Sequence, residues 1–340
     1  MKSSLISLTF VSGVRALSSS SVVASRYLSL RKHPALFEPA RVEELLAPEC
    51  LELVRALGKA ADAGEDPASV VRASALTEEA REIYSFPLLS EHACELLCEE
   101  IEHFLASGLP ACRPNSMNRY GVILNEIGLK ESLSAVQRVV APIARALFPV
   151  EGEQLDDHHS FCVSYKPDED RGLDMHTDDS DVTLNVCLGR DFDAAGLTFC
   201  GDAGRPDHRM MSFQYSHVRG RALLHLGSRR HGADDIVSGH RLNLIMWNYN
   251  RKLRADPEFR ARPFYVEAGV PDAVCVSFTH DRDYEAVVGE PRPPGHEKFA
   301  QMAWCPPPQA EYAGFEGKRG RYRDLLDDID DVLGTKRGSD

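Results

Sequence analysis

Residues 173–178 read Leu-Asp-Met-His-Thr-Asp, and among the thirteen histidines of the chain only His176 is followed by an acid two positions later. In an extended segment the side chains alternate between two faces, so His176 and Asp178 project to the same side. One further histidine from a later strand would complete the two-histidine, one-carboxylate set that binds iron(II) and leaves three coordination positions open. A His-x-Asp pair also arises by chance at protein surfaces, so its value depends on the surrounding sequence.

The sequence after residue 155 changes to short apolar-alternating runs separated by Gly, Asp and Pro. Regularly spaced short strands of this kind predict an antiparallel sandwich or barrel. The runs are residues 161–165, 182–188, 196–200, 211–218, 222–226 and 241–247.

The sequence before residue 150 has helical spacing instead, and we expect residues 38–150 to form a helical lead-in that packs on the barrel. Apolar residues recur at three- and four-residue intervals from Glu43 to about Arg81 and again after Ser90, a candidate N-cap. A further helix is predicted over residues 131–148, and Pro142 is expected to end or kink it.

Both termini differ from the middle of the chain. The first 37 residues contain ten serines, five basic residues and no acid, which predicts a disordered or targeting segment. Mitochondrial import is favoured over a plastid or secretory signal, and a serine-rich tail on a cytoplasmic protein is the alternative. Residues 253–340 are predicted to be a C-terminal extension, with outer strands at 264–266 and 273–278 and a charged tail that includes a helix at 322–333.

The composition is that of an ordinary globular protein, with 340 residues of which 43% are hydrophobic. The net charge of -13 argues against general nucleic-acid binding, which requires an excess of Lys and Arg. Nine scattered cysteines, an odd number, predict mostly reduced thiols. Because no apolar run of about 18 residues occurs, no transmembrane segment is predicted.

His231 is the candidate for the third metal ligand, and Arg241 follows it ten positions later at the start of a predicted strand. Oxygen activation at iron(II) requires a two-electron donor, and 2-oxoglutarate supplies the electrons while it chelates the metal. Its far carboxylate needs a fixed cation, which a planar guanidinium provides through two hydrogen bonds. A buried arginine needs an anionic partner, so the alternative for Arg241 is an internal salt bridge.

Four motifs together resemble the catalytic domain of the prolyl 4-hydroxylase and lysyl hydroxylase superfamily of 2-oxoglutarate oxygenases. The resemblance is closest to the family called 2-oxoglutarate and iron-dependent oxygenase domain-containing protein 2, and it covers roughly residues 83 to 250. The motifs are RPNSMNRYGVIL at residues 113–124, LDMHTD at 173–178, VTLNVCLG at 182–189, and LHLGSRRHGA at 224–233 followed by Gly239-His-Arg.

This resemblance implies a mixed α+β protein with a double-stranded β-helix (jelly-roll) core at residues 155–252 and N-terminal supporting helices. His176, Asp178 and His231 are then the iron ligands, and Arg241 binds 2-oxoglutarate. His225 is the main rival for the third ligand, but only His231 has the ten-residue spacing to the arginine.

Two further residues are assigned to the cosubstrate on the same resemblance. Tyr165 is expected to contact the carboxylate that Arg241 binds, with a role as core filler as the alternative. Asn185 is expected to help orient 2-oxoglutarate.

The implied activity is that of a dioxygenase dependent on 2-oxoglutarate and Fe(II), with O2 as the other cosubstrate and ascorbate as the reductant. It would hydroxylate a C–H bond of a protein prolyl or lysyl side chain or of a small molecule, and would convert 2-oxoglutarate to succinate. Two alternatives remain open. One is a non-catalytic sensor or scaffold that binds iron or 2-oxoglutarate, and the other is a zinc protein whose metal acts on bound water, which would not require Arg241.

Overall fold

The computed structural model describes residues 19–72, 74–115, 117–261, 272, 275–276, 285 and 289–291. The helices of this part lie mostly before residue 150. They are α1 (Ser19–Tyr27), α2 (Pro48–Ala63), α3 (Pro67–Arg72), α4 (Glu91–Ala106), α5 (Lys130–Leu147), α6 (Arg251–Ala255) and α7 (Pro257–Arg260), with 3-10 turns at Pro34–Phe37 and Pro39–Glu44 and a π turn at Asn125–Leu129.

The strands of the described residues pair in antiparallel fashion. They are β1 (Thr77–Ala80), β2 (Ile83–Pro87), β3 (Gly121–Ile123), β4 (Asp157–Tyr165), β5 (Leu173–His176), β6 (Val182–Gly189), β7 (Phe192–Ala194), β8 (Leu197–Asp202), β9 (Phe213–Tyr215), β10 (Arg221–Leu226), β11 (Arg229–Ala233), β12 (Ile236–Gly239) and β13 (Arg241–Tyr249). A seven-stranded sheet has the order β1-β2-β10-β6-β13-β4-β3, and a four-stranded sheet has the order β5-β11-β8-β9. Strands β7 and β12 form a separate pair.

The seven-stranded sheet is the middle layer, with a hydrophobic cluster on each face. On one face, Leu184, Val186 and Leu224 pack with the apolar sides of α2, α4 and α5. On the other face, Phe161 and Ile245 pack with residues of the four-stranded sheet in a second cluster. Because both faces are covered, strands β6 and β13 are buried along almost their whole length.

The predicted helices after Ser90 and over residues 131–148 are present in the N-terminal layer, but one expectation about Pro142 is not met. Helix α4 begins after Ser90, whose hydroxyl accepts a hydrogen bond from the backbone of Ala93. Helix α5 continues through Pro142 to Leu147, so of the two outcomes expected for Pro142, an end or a kink, the end does not occur. Apolar residues on both sides of the proline, including Val140 and Ile143, are buried in the core, and this packing overrides the local preference.

Strands β1, β2 and β3 are not anticipated by the sequence analysis, which assigns the end of residues 43–81 to helix. Strand β2 pairs with β10, more than 130 residues away along the chain. Because that pairing depends on a distant partner, the local sequence pattern does not indicate it.

Several predictions fall wholly or partly outside the described residues. These are residues 1–18 of the disordered or targeting segment predicted for residues 1–37, the outer strands at 264–266 and 273–278 apart from residues 275–276, and the charged tail with its helix at 322–333. Residues 19–37 are described and are not disordered, because Tyr27 and Leu36 are buried in the hydrophobic core. Residues 275–276 are helical rather than extended. The targeting of the chain and the proposed domain limits stay predictions. In the part of the chain that is described, no helix has the length and apolar character needed to cross a bilayer.

The cysteines of the described residues agree with the expectation of mostly reduced thiols. Six are free, and five of those are buried. Cys200 and Cys275 form a disulfide, with Cα atoms 5.9 Å apart, that ties residue 275 to strand β8.

Candidate metal and cosubstrate site

The structure brings His176, Asp178 and His231 together between the two sheets. His176 ends β5 and lies directly opposite His231 of β11 in the antiparallel register, so the two ring centroids are 4.3 Å apart. The Asp178 carboxylate oxygens lie 3.6 Å from the Nε2 atom of each histidine. Within the described residues this is the one group of three potential ligands whose donor atoms all lie within 4.8 Å of one another.

Backbone carbonyls orient both histidine rings. The Nδ1 atom of His176 lies 2.7 Å from the carbonyl oxygen of Asp174, and Nδ1 of His231 lies 3.0 Å from that of Arg229. A carbonyl oxygen only accepts, so each Nδ1 carries the proton and donates. Each Nε2 is therefore left with a lone pair directed at the shared space, which is the tautomer that a metal ligand requires.

Asp178 is held in place by two elements. The Thr183 hydroxyl on β6 donates a 2.7 Å hydrogen bond to Oδ2 of Asp178, and the Ser180 hydroxyl is 2.6 Å from that of Thr183. The backbone N–H of Asp178 donates to the carbonyl of Gly227, between β10 and β11. The carboxylate is thus fixed relative to the strand that carries His231.

The charge states of this group suit cation binding. Burial raises the pKa of Asp178, but the neighbouring His231 and His176 outweigh burial, and the net pKa lies below the usual range. Burial lowers the pKa of His231 to about 3, against the opposing effect of Asp178. At neutral pH the carboxylate is ionised and His231 is neutral, so both have free electron pairs.

Arg241 lies at the other end of the same cavity and is 1% exposed. Its guanidinium donates to the carbonyl oxygens of Ala195 and Gly196, whereas its Nε has no hydrogen-bond partner. Among the described residues, no carboxylate oxygen lies within 4.0 Å of a guanidinium nitrogen of Arg241, so Arg241 forms no ion pair there. The nearby Asp234 accepts a hydrogen bond from Thr198 instead. The alternative of an internal salt bridge for Arg241 therefore has no support in this part of the chain.

Tyr165 and Asn185 line the cavity that joins Arg241 to the three ligands. Tyr165 lies opposite Arg241 in the pairing of β4 with β13, and the guanidinium carbon is 4.3 Å above the centre of the tyrosine ring. Asn185 accepts a 2.6 Å hydrogen bond from the side chain of Asn243. The other residues that line this cavity are Asn115, Asn118, Phe161, Val163, Leu173, Leu197, Ala233, Asn243, Ile245 and Trp247.

His225, the rival third ligand, is buried on β10 opposite Thr183 and does not belong to the group of three. Its Nδ1 donates to the carbonyl of Leu226, and its ring packs against Phe199. The acidic loop beside the site is also already paired, because Arg254 binds both Asp179 and Asp181, at 3.0 and 2.8 Å. Both loop carboxylates are therefore already neutralised by a side chain of the protein.

Sequence reasoning did not assign Asn118 or Asn243 to the site. Asn243 lies two positions after Arg241, so the period of two along β13 was a usable signal. Asn118 comes from the segment before β3 and reaches Tyr165 across 47 residues of sequence. No local pattern indicates a contact of that kind.

Comparisons with known proteins find relatives that are named 2-oxoglutarate and iron-dependent oxygenases. A family model described as the OGFOD2-like domain matches residues 23–153, which precede the three candidate ligands. The 2-oxoglutarate and iron-dependent oxygenase domain-containing protein ICU11 of Arabidopsis thaliana is 42% identical over 187 residues, which are 51% of this chain and 47% of that protein. The chain thus spans about half the length of this relative.

Among solved structures, a Pseudomonas putida prolyl-4-hydroxylase matches 58% of this chain and 94% of its own, with 15% identity and a TM-score of 0.36. The 2-oxoglutarate and iron-dependent oxygenase domain-containing protein 2 of Danio rerio is 35% identical over 270 residues, which are 78% of this chain and 75% of that protein. On that coverage, the chain belongs to the family of 2-oxoglutarate and iron-dependent oxygenase domain-containing protein 2.

Proposed function

We propose that this protein is a dioxygenase that depends on Fe(II) and 2-oxoglutarate. The observation that carries the proposal is Arg241, a buried cation without a carboxylate partner among the described residues, in the same cavity as a His-Asp-His group. A buried unpaired charge is costly, and a dicarboxylate that also reaches the metal would compensate it. The names of the relatives support the same cosubstrate and metal.

The residues present fit this metal and cosubstrate. Two imidazoles and one carboxylate are the donor set of iron(II) oxygenases, and the described residues add no fourth donor, so coordination positions stay open. His176, Asp178 and His231 would hold the iron. Arg241 and the hydroxyl of Tyr165 would bind the distal carboxylate of 2-oxoglutarate, and the amide of Asn185 would orient the cosubstrate from β6.

The order of strands in the two sheets supports a double-stranded β-helix (jelly roll) for residues 155–252. In such a core the two sheets face each other, so that side chains from β5, β11 and β13 meet in one cavity. The helices before residue 150 would then support the larger sheet from outside.

When bound, iron(II) and 2-oxoglutarate supply the electrons for O2 to hydroxylate a substrate C–H bond, with release of succinate and carbon dioxide. The chain's own contribution is to hold both groups in a buried cavity and to limit the entry of water. We propose a protein prolyl or lysyl side chain or a small molecule as the substrate, and ascorbate as the reductant that keeps the iron in the ferrous state. A sensor or scaffold without turnover would share the same binding residues and is the second candidate.

Ligand-dependent stability tests the assignment of Arg241. We expect 2-oxoglutarate at a hundredfold excess over Kd to stabilise the Mn²⁺-loaded protein by about 2.7 kcal/mol, because the ligand binds only the native state. The Arg241→Ala variant should lose this shift in thermal unfolding. Arg190→Ala, which removes a half-buried arginine paired with Glu95 and Glu102, should keep it. An equal shift in wild type and Arg241→Ala would contradict the proposal.

A further inference from the structure

The segment before β3 contains an asparagine whose orientation is fixed by the backbone. One side-chain atom of Asn115 lies 2.8 Å from the backbone nitrogen of Met117 and 2.7 Å from that of Asn118. A backbone N–H only donates, so this atom must be the oxygen Oδ1. The Nδ2 of Asn115 is therefore the atom that lies 3.0 Å from the side chain of Asn118.

This contact fixes the second amide in turn. Because Asn115 donates, the facing atom of Asn118 is its oxygen, and its Nδ2 points the other way, 3.1 Å from the hydroxyl oxygen of Tyr165. Asn118 is 1% exposed, so water does not compete for these bonds. Asn118 is the donor and Tyr165 the acceptor.

The hydroxyl of Tyr165 consequently has its own proton left to donate. Its neighbour Arg241 has only donors, and no described residue accepts a hydrogen bond from Tyr165. The proton is therefore available to an acceptor inside the cavity that Tyr165 and Arg241 line together. A carboxylate beside the guanidinium is such an acceptor.

The segment is anchored so that the amides stay in place. Asp170 accepts hydrogen bonds from the backbone nitrogens of Arg119 and Tyr120, at 2.6 and 3.2 Å. The carbonyl of Tyr120 accepts from the backbone of Ser164 in β4. The asparagines are thus positioned relative to the strand that carries Tyr165.

We propose that Asn118, oriented by Asn115, is a positioning residue that directs the hydroxyl proton of Tyr165 towards the distal carboxylate of 2-oxoglutarate. The inference rests on the proposed function, since it requires that this cosubstrate binds between Tyr165 and Arg241. It assigns the segment that carries Asn115 and Asn118 to the cosubstrate end of the cavity.

The test is a double-mutant cycle on the Kd of 2-oxoglutarate, measured by calorimetry on Mn²⁺-loaded protein. Tyr165→Phe should weaken binding by about tenfold to a hundredfold, the loss of a hydrogen bond to a charged group. Asn118→Leu keeps a similar shape but has no hydrogen-bonding group, and it should weaken binding by about threefold to tenfold through lost orientation. In the Tyr165→Phe background, Asn118→Leu should have no further effect.

Two controls separate positioning from a general structural effect. In the Asn118→Asp variant the new carboxylate would accept a hydrogen bond from the Tyr165 hydroxyl and turn its proton away from the cavity. The loss of affinity for 2-oxoglutarate should then be at least that of Tyr165→Phe. Asn118→Asp also keeps the test valid if Asn118→Leu does not fold. Asn125→Ala removes another asparagine that bonds to β4, at its far end, and should leave the Kd unchanged.

The outcomes are distinct for the two proposals. Wild-type protein that binds Mn²⁺ but not 2-oxoglutarate would overturn the proposed function itself. If 2-oxoglutarate binds to wild type and not to Arg241→Ala, the proposed function stands. If Asn118→Leu then weakens binding equally with and without the Tyr165 hydroxyl, the positioning role of Asn118 is overturned.

Discussion

At the scale of single residues, each candidate iron ligand is held by a second group. Backbone carbonyls fix His176 and His231, whereas Asp178 depends on the hydroxyl of Thr183. Outer partners of this kind contribute to metal affinity because they hold the ligand atoms in a binding geometry before the metal arrives. The hydroxyl of Thr183 is thus the side-chain partner that a single substitution removes most cleanly.

We predict that Thr183→Val weakens metal binding by about tenfold to a hundredfold, since it removes the hydrogen bond to Asp178 and preserves the shape of the side chain. Thr183→Ser keeps a hydroxyl and should restore most of the affinity. Titration with Mn²⁺ measures both values. Equal affinities in wild type and Thr183→Val would show that Asp178 does not need this partner.

The candidate ligands could be identified from the sequence because their signals are local. His176 and Asp178 are two positions apart, and the spacing of His231 and Arg241 is ten residues within one region of short strands. The role of Asn118 could not be identified from the sequence, since its contact with Tyr165 spans 47 residues and depends on the path of a whole loop. The geometry of the Asn118 amide follows only from the three-dimensional contacts of Asn115.

At the scale of elements, two glycines have opposite roles. Gly58 lies on the exposed side of α2, and an added Cβ would meet nothing within 4 Å. Gly121 begins β3 with a φ of +134°, and an added Cβ would overlap the carbonyl oxygen of Cys162 in the paired strand β4. Gly121 therefore permits the close approach that anchors the loop carrying Asn118.

We predict that Gly58→Ala stabilises the protein by about 0.5–1 kcal/mol, because alanine has the higher helix propensity. Gly121→Ala should destabilise it by at least about 1–3 kcal/mol, through backbone strain and separation of β3 from β4. Chemical denaturation of the two variants measures the difference. A neutral Gly121→Ala would contradict the close pairing of β3 and β4.

Helices and strands could be predicted where the signal lies within their own sequence. The helix after Ser90 has its own cap and apolar stripe, and β6 and β13 have apolar residues that alternate with polar ones. Strand β11, which carries His231, lies outside the predicted runs, since its sequence Arg-Arg-His-Gly-Ala has no strand pattern. It forms because β5 and β8 pair with it on both sides.

At the scale of the whole molecule, the site depends on strands that are far apart in sequence. The seven-stranded sheet includes residues from Thr77 to Tyr249, and the helical layer and the cavity lie on its opposite faces. The class of fold was predictable from alternating runs of residues, whereas the strand order was not, because pairing across long separations is a property of the assembled sheet. The mixed helical and antiparallel architecture is the part of the prediction that the structure confirms.

The central claim is that His176, Asp178 and His231 with Arg241 form an oxygenase site, and succinate formation tests it most directly. Protein loaded with Fe(II) without oxygen is given 2-oxoglutarate and then O2, in wild type, His176→Ala and Arg241→Ala. We predict succinate from wild type and a decrease of more than about a hundredfold in either variant, because losing a ligand costs more than losing an outer partner. Undiminished succinate in either variant, or none from wild-type protein that has bound both iron and 2-oxoglutarate, would contradict the claim.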